Sequence, residues 1–305
     1  NVAWAPDQSQ RVAIADGTTV RIINGRSGKV LLTGPKQTAL STTGAQPLSY
    51  LSQGTAGAQP LSYLSQGMPA VRALAWSPDG SKIASSITAF SGGTGPRTIT
   101  IWDSHTGAVL KQLTGHKDDI YQLAWSPDGK YLVSLAQSQD NTIRLWTLAT
   151  GTSVELLHPA GYGAVERLAW SPDGKYLAIQ VQMQVGNNTL GAIITRDEIQ
   201  IWQVQTRKII THYTRDIHEG TGFEDFSWAP DSTRLISTLE GTTVARVWNA
   251  LTGQVLFTYQ AEKASKVAWS PDGKYIALSG EKMVDKDTVV DVTSVWNAPP
   301  AAWPN

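Results

Sequence analysis

Eleven of the twelve tryptophans in this 305-residue chain fall at two fixed places in one recurring unit, and that register limits what the chain can fold into. The first place precedes a turn: Trp4 in AWAPDQ, Trp76, Trp125, Trp170 and Trp269 in AWSPDG, and Trp228 in SWAPDS. The second closes an alternating apolar segment: Trp102 in TITIW, Trp146 in TIRLW, Trp202 in EIQIW, Trp248 in VARVW and Trp296 in VTSVW. Ile23 in TVRII stands where the first unit should have one, and only Trp303 is left over. Six units follow. Such repeats at periods near 40 to 50 residues, each with several short strands, indicate blades of a β-propeller rather than turns of a helical solenoid.

Each unit reads as four strands, a to d. In the third they are Ile120 to Trp125, Tyr131 to Ala136, Thr142 to Trp146 and Ser153 to Leu157, all short and rich in β-branched and aromatic residues. Between a and b, Ser126-Pro127-Asp128-Gly129 specifies a tight turn, because proline presets φ and glycine accepts a positive one. Between c and d, Thr147 to Gly151 closes a second hairpin, repeated at Thr106-Gly107 and Thr252-Gly253. The fold class expected is all-β: a propeller of four-stranded antiparallel blades, six in this chain, with seven in a longer parent left open. Only five d strands are found, at 29–33, 108–113, 153–157, 208–213 and 254–259. The proline-rich tail, residues 297–305, makes a poor sixth, so a piece excised from something longer is expected.

The third unit, with Gly115-His116, then AWSPDG, then Asp140 before IRLW, resembles the WD-repeat family over almost its whole length. The resemblance implies a buried hydrogen-bond relay of His116, Ser134, Asp140 and Trp146, which stabilises only when every member is satisfied. Unit two keeps Ser85 and Trp102 but lacks the histidine and aspartate, and unit five has His218 and Glu240 as substitutes. Such units are expected to rely on apolar packing. The Ser-Pro-Asp-Gly turn also occurs in propellers attached to prolyl-oligopeptidase-type hydrolases. The second-place tryptophan followed by a Thr-Gly turn favours the WD reading. The resemblance also implies a bacterial multidomain setting, in which such propellers follow a kinase or other signalling domain.

Strands that run between two faces put a–b and c–d connections on one face and b–c and d–a connections on the other. The first group is short and uniform. Every insertion lies in the second: 34–69, 88–97, 184–197, 214–223 and 280–288. Loops on a rigid scaffold carry function, so this face is the expected binding surface. Its larger or charged residues, Tyr50, Tyr63, Phe90, Arg97, Tyr162, Arg196, Phe223 and Lys282, are the candidate partner contacts, aromatic and arginine anchors being the usual hot spots. The low-complexity insert at 34–69 contains GAQPLSYLSQG twice, at 44–54 and 57–67, and its composition predicts disorder, with docked strands or an adhesive ligand as alternatives.

Lys plus Arg and Asp plus Glu both number 25, so no global field draws in nucleic acid. No apolar run is long enough to insert in a membrane. With no cysteine the chain suits a reducing cytosol and an exported domain alike, and the compartment is left open with the cytoplasm favoured. No GxSxG nucleophile elbow is present. Gly25-Arg26-Ser27-Gly28-Lys29 sits in a c–d hairpin and lacks phosphate-loop spacing. The histidines show no metal spacing, and Asp285, Asp287 and Asp291 lack the glycine and glutamate of a calcium loop. The expectation is a single propeller over 1–305 without catalytic residues, metal or cofactor, binding a protein or peptide. The alternative is an accessory propeller that gates a kinase or hydrolase domain outside this chain.

Overall fold

A computed structural model describes residues 2–7, 9–35, 70–87, 97–136, 140–157, 164–187, 193–214, 222–239, 241–260, 263–283 and 289–299. Contacts divide the chain into two units, residues 1–158 and 159–305. In the first, three sheets follow in chain order: β1 to β4 (Val2–Trp4, Arg11–Asp16, Thr19–Asn24, Val30–Thr33), β5 to β8 (Val71–Trp76, Lys82–Ile87, Arg97–Asp103, Val109–His116) and β9 to β12 (Ile120–Trp125, Tyr131–Ala136, Ile143–Thr147, Thr152–Leu157). In the second come β13 to β16 (Ala164–Trp170, Tyr176–Asn187, Ile193–Gln203, Lys208–Thr214), β17 to β20 (Phe223–Trp228, Arg234–Leu239, Val244–Asn249, Val255–Gln260) and β21 to β23 (Lys263–Trp269, Tyr275–Met283, Val289–Asn297). Every sheet is an antiparallel meander, and the described residues contain no helix. The all-β class and the four-stranded propeller blade are therefore present. Among the described residues the sixth sheet has no d strand.

The repeated turn explains the strand pairing. Ser126 Oγ donates to Asp128 Oδ1 (2.6 Å) and accepts from the Tyr131 amide (2.9 Å), while the Lys130 amide also donates to Asp128. Gly129 takes φ of 69°, which a side chain would resist. Ser171 with Asp173 and Ser270 with Asp272 repeat the arrangement. At Asp79 the Ser77 hydroxyl and the Ser81 amide hold the carboxyl down at about 2. These serines and aspartates are consumed by the turn.

The c–d turns place Gly107, Gly151 and Gly253 at φ of 76°, but the fourth sheet puts Arg207 there at φ of 57°, with the same amide-to-carbonyl closure onto Gln203. A left-handed conformation costs a side chain about 1–2 kcal/mol. Glycine gives part of that back through its freer unfolded chain. Arg207→Gly is therefore expected to raise stability by about 0.5 kcal/mol, read as a higher denaturant midpoint at unchanged slope.

Neighbouring sheets stack by a contact with a direction. Trp76 Nε1 donates to the Ala3 carbonyl of the preceding sheet (3.0 Å), Trp125 to Ala75 (3.1 Å) and Trp228 to Ala169 (3.1 Å). In return, the first residue of strand b lies over the next sheet's tryptophan: Arg11 is 5.0 Å from the Trp76 ring centroid, Arg234 is 4.9 Å from that of Trp269, and Tyr176 stacks on Trp228. Apolar clusters fill the space between, such as Ile101, Leu113, Ile120, Leu123 and Trp146 between the second and third sheets.

The described parts of two expected loops are strand instead. Residues 184–187 and 193–197 continue the pairing of β14 with β15 out to Asn187↔Ile193, and 280–283 does so for β22 with β23 out to Met283↔Val289. The alternation QVQMQV is itself a strand pattern that simply runs past the length of the third unit.

Candidate functional site

The b–c and d–a ends of the sheets are where strand a departs from regular pairing. In five sheets the pairing of a with b shifts by one residue, leaving Arg72, Tyr121, Glu166, Glu224 and Ser265 as bulges. Each lies four residues before the strand's tryptophan. Arg72 and Glu166 are exposed, and Tyr121, Glu224 and Ser265 are half-buried. A bulge re-aims a side chain and twists the strand, so these positions present varied chemistry on a fixed frame. Sequence reasoning missed them, although the constant offset from tryptophan was there to be read.

The candidate contacts meet different fates. Tyr50, Tyr63, Phe90 and Tyr162 lie outside the described residues, as do both copies of GAQPLSYLSQG. Arg97 opens β7 half-buried, its Nε 2.7 Å from Asp119 Oδ1. Arg196 is exposed on β15, with Nη2 3.4 Å from Glu198 Oε2. Lys282 belongs to β22, its backbone opposite Val290 rather than in a loop. Phe223 is a correction: it is 5% exposed and packs in a core cluster with Ile199 and Phe226. Counting back from Trp228 by twos would turn Phe223 outward, but the bulge at Glu224 flips the phase and turns it in. The Phe223 amide also donates to Asp197 Oδ2 (2.6 Å), and its carbonyl accepts from Gln180 Nε2 (2.8 Å), which binds Glu166 as well. Phe223 thus ties the fifth sheet to the fourth.

In the third sheet His116 Nδ1 lies 2.8 Å from Asp140 Oδ2, and Nε2 2.6 Å from Ser134 Oγ, which accepts from Trp146 Nε1 (2.7 Å). Asp140 also accepts from the Lys117 amide (2.6 Å) and from Thr142 Oγ1. A neutral imidazole protonated on Nδ1 satisfies the whole chain: Nδ1–H donates to Asp140, Nε2 accepts from Ser134, and Ser134 accepts the indole N–H. Burial pushes the His116 pKa below its ordinary value, and that outweighs the pull of the Asp140 carboxylate. The Asp140 carboxyl is held below its usual range: burial alone would raise it, but the Thr142 hydroxyl, the Lys117 amide and His116 together lower it.

The second and fifth sheets keep a shortened version. Trp102 Nε1 donates to Ser85 Oγ (3.1 Å) and Trp248 Nε1 to Ser237 Oγ (2.8 Å). In the fourth sheet Ile179 occupies the serine position. There Trp202 Nε1 donates to Gln200 Oε1 (3.0 Å), whose Nε2 donates to Glu198 Oε1 (2.5 Å). The expectation of apolar packing alone in these units is corrected accordingly; His218 and Glu240 lie outside the described residues. Among the described residues no three His, Asp or Glu side chains are grouped to hold a metal, and no helix is long and apolar enough to cross a membrane.

Residues 62–103 and 107–147 match the family model described as "WD domain, G-beta repeat", and residues 164–285 match that of "Eukaryotic translation initiation factor eIF2A". Similar proteins include "Nuclear distribution protein nudF 2" of Penicillium rubens, 44% identical over 70 residues, which are 23% of this chain and 14% of that protein. Mouse "Coronin-7" is 47% identical over 49 residues, 16% of this chain and 5% of that protein. The chain thus covers only a small part of these relatives' length. They are fungal and mammalian, and give no support to the bacterial setting. A chain of the structure titled "Crystal Structure of Mitotic Checkpoint Complex" aligns with 98% of this chain and 76% of its own length, with TM-score 0.60 and 20% identity, a likeness of fold.

Proposed function

We propose that this WD-repeat chain is a non-catalytic scaffold that holds a protein or peptide at the b–c and d–a ends of its sheets. The carrying observation is the contrast between the two ends. At the a–b end, Ser and Asp side chains are locked into one repeated turn. At the other, five bulges and two lengthened hairpins give five of the sheets different surfaces. Variation imposed on a stiff frame is how a repeat protein presents a binding surface.

The test is to place a photo-crosslinking residue at Arg72 or Glu224, and for comparison at Lys130 or Lys274 in the a–b turns. Partner proteins are expected to be trapped from the first pair alone. Trapping of the same partners only from the turn positions would reject the reading.

A further inference from the structure

Within residues 1–158 the junction between the first and second sheets is filled by the chain itself. Arg11, the first residue of β2, lies over the Trp76 ring, and its guanidinium donates to the Gly80 carbonyl (2.9 Å), the Ser104 hydroxyl (3.1 Å) and the Asp7 carboxylate. The junction between the second and third sheets has the same parts without that plug. Lys82 opens β6 as Arg11 opens β2, and Trp125, Gly129 and Leu148 hold the places of Trp76, Gly80 and Ser104. The Lys82 ammonium turns back instead and donates to Ser81 Oγ (3.0 Å). A pocket of about 160 Å³ results, bounded by those four residues together with Ile101, Leu110 and Lys111.

Size, lining and charge specify the guest. An apolar cavity of about 150 Å³ takes one benzene ring, so the pocket has room for a single aromatic ring. The Trp125 indole, Ile101, Leu110 and Leu148 give it apolar walls. A ring already fills the equivalent place between the fourth and fifth sheets, where Tyr176, the first residue of β14, stacks on Trp228 with 6.5 Å between centroids. A guanidinium, the occupant of the first junction, has the wrong charge for this one. Its hydroxyl acceptor is replaced by Leu148, whose carbonyl already accepts from Lys111 Nζ (2.6 Å). Asp79, the counterpart of Asp7, is engaged by Ser77 and Ser81. Lys82 and Lys111 bring two positive charges to the wall, and among the described residues no carboxylate lines it. We infer that this pocket binds a small aromatic carboxylic acid as its anion. The ring lies beside Trp125, between Leu110 and Leu148, and the carboxylate accepts charge-assisted hydrogen bonds from Lys82 and Lys111. The pocket adjoins the a–b turn of the third sheet, so it is separate from the end assigned to a protein partner and stands or falls by itself.

Calorimetric titration of the whole chain with phenylacetate is the test. One saturable site is expected, with Kd of about 1 mM or tighter, which a ligand of this size reaches when its ring is enclosed. Benzylamine, of opposite charge, and acetate, which has no ring, should each bind at least about tenfold more weakly. Lys82→Arg should abolish binding, because the longer planar head can lie over Trp125 as Arg11 lies over Trp76 and fill the space. Leu110→Asp, at an exposed position, adds a like charge to the wall and should weaken phenylacetate at least about tenfold, with thermal unfolding like the wild type. The absence of saturable binding up to about 10 mM overturns the proposal. So does benzylamine binding as tightly as phenylacetate, or phenylacetate binding that either variant leaves unchanged.

Discussion

Trp146→Ala is expected to cost about 3–5 kcal/mol of folding stability, the usual loss when a buried tryptophan is truncated and its cavity cannot close. Trp146 is 1% exposed and packs in the cluster with Ile101, Ile120 and Leu132, between strands that pair on both sides of it. The truncation also removes the indole N–H from Ser134. Urea unfolding followed by circular dichroism reads the loss as a lower midpoint. Against a total near 5–15 kcal/mol, this is enough to unfold a fraction of the protein at physiological temperature. Trp4→Ala is the control. That side chain is mostly exposed, so its loss should leave the midpoint of dilute protein almost unmoved. Equal losses at the two positions would mean that burial is not what distinguishes them.

His116→Ala is expected to cost about 1–3 kcal/mol, because it strips a buried carboxylate and a buried hydroxyl of a partner in one step. The same substitution should change how stability depends on pH. The native imidazole is held neutral, its pKa below the ordinary histidine value near 6.5. Below that value the unfolded chain binds a proton that the folded chain refuses, so stability is present above about pH 6.5 and is lost as pH falls. The loss from this one group cannot exceed about 1.4 kcal/mol per pH unit. The alanine variant should lack that component below about pH 6.5. Asp140 acts in a lower window: its depressed pKa contributes stability above the ordinary carboxyl range, and that part fades only as pH drops through it. A His116→Ala/Ser134→Ala double variant should cost less than the two single changes added together, as members of one chain do. Strict additivity would dissolve the relay.

Local chemistry was the legible part of this fold. Ser126, Asp128 and Gly129 build their turn with atoms a few residues apart, and the strands of the third sheet begin and end within a residue of where the pattern put them. What escaped depends on register. Phe223 reads as the last residue of the 214–223 insertion, but it opens β17 and is core, because the bulge at Glu224 adds one residue to the strand and turns it inward. The lengthened hairpins escaped for another reason: the third unit served as the ruler, and whatever exceeded it was counted as loop. Gln200 as the acceptor for Trp202 was hidden because it stands on strand c, while the other acceptors stand on strand b.

That last substitution changes how the fourth sheet carries load. In the third sheet the indole bond crosses from strand c to strand b and pins them together. In the fourth it runs two residues along a single strand and fastens nothing to its neighbour. The same sheet has the longest b–c ladder, from Tyr176↔Gln203 to Asn187↔Ile193. Shear between its b and c strands is therefore resisted by the length of the backbone ladder, whereas in the third sheet the Trp146 indole adds a rivet across it.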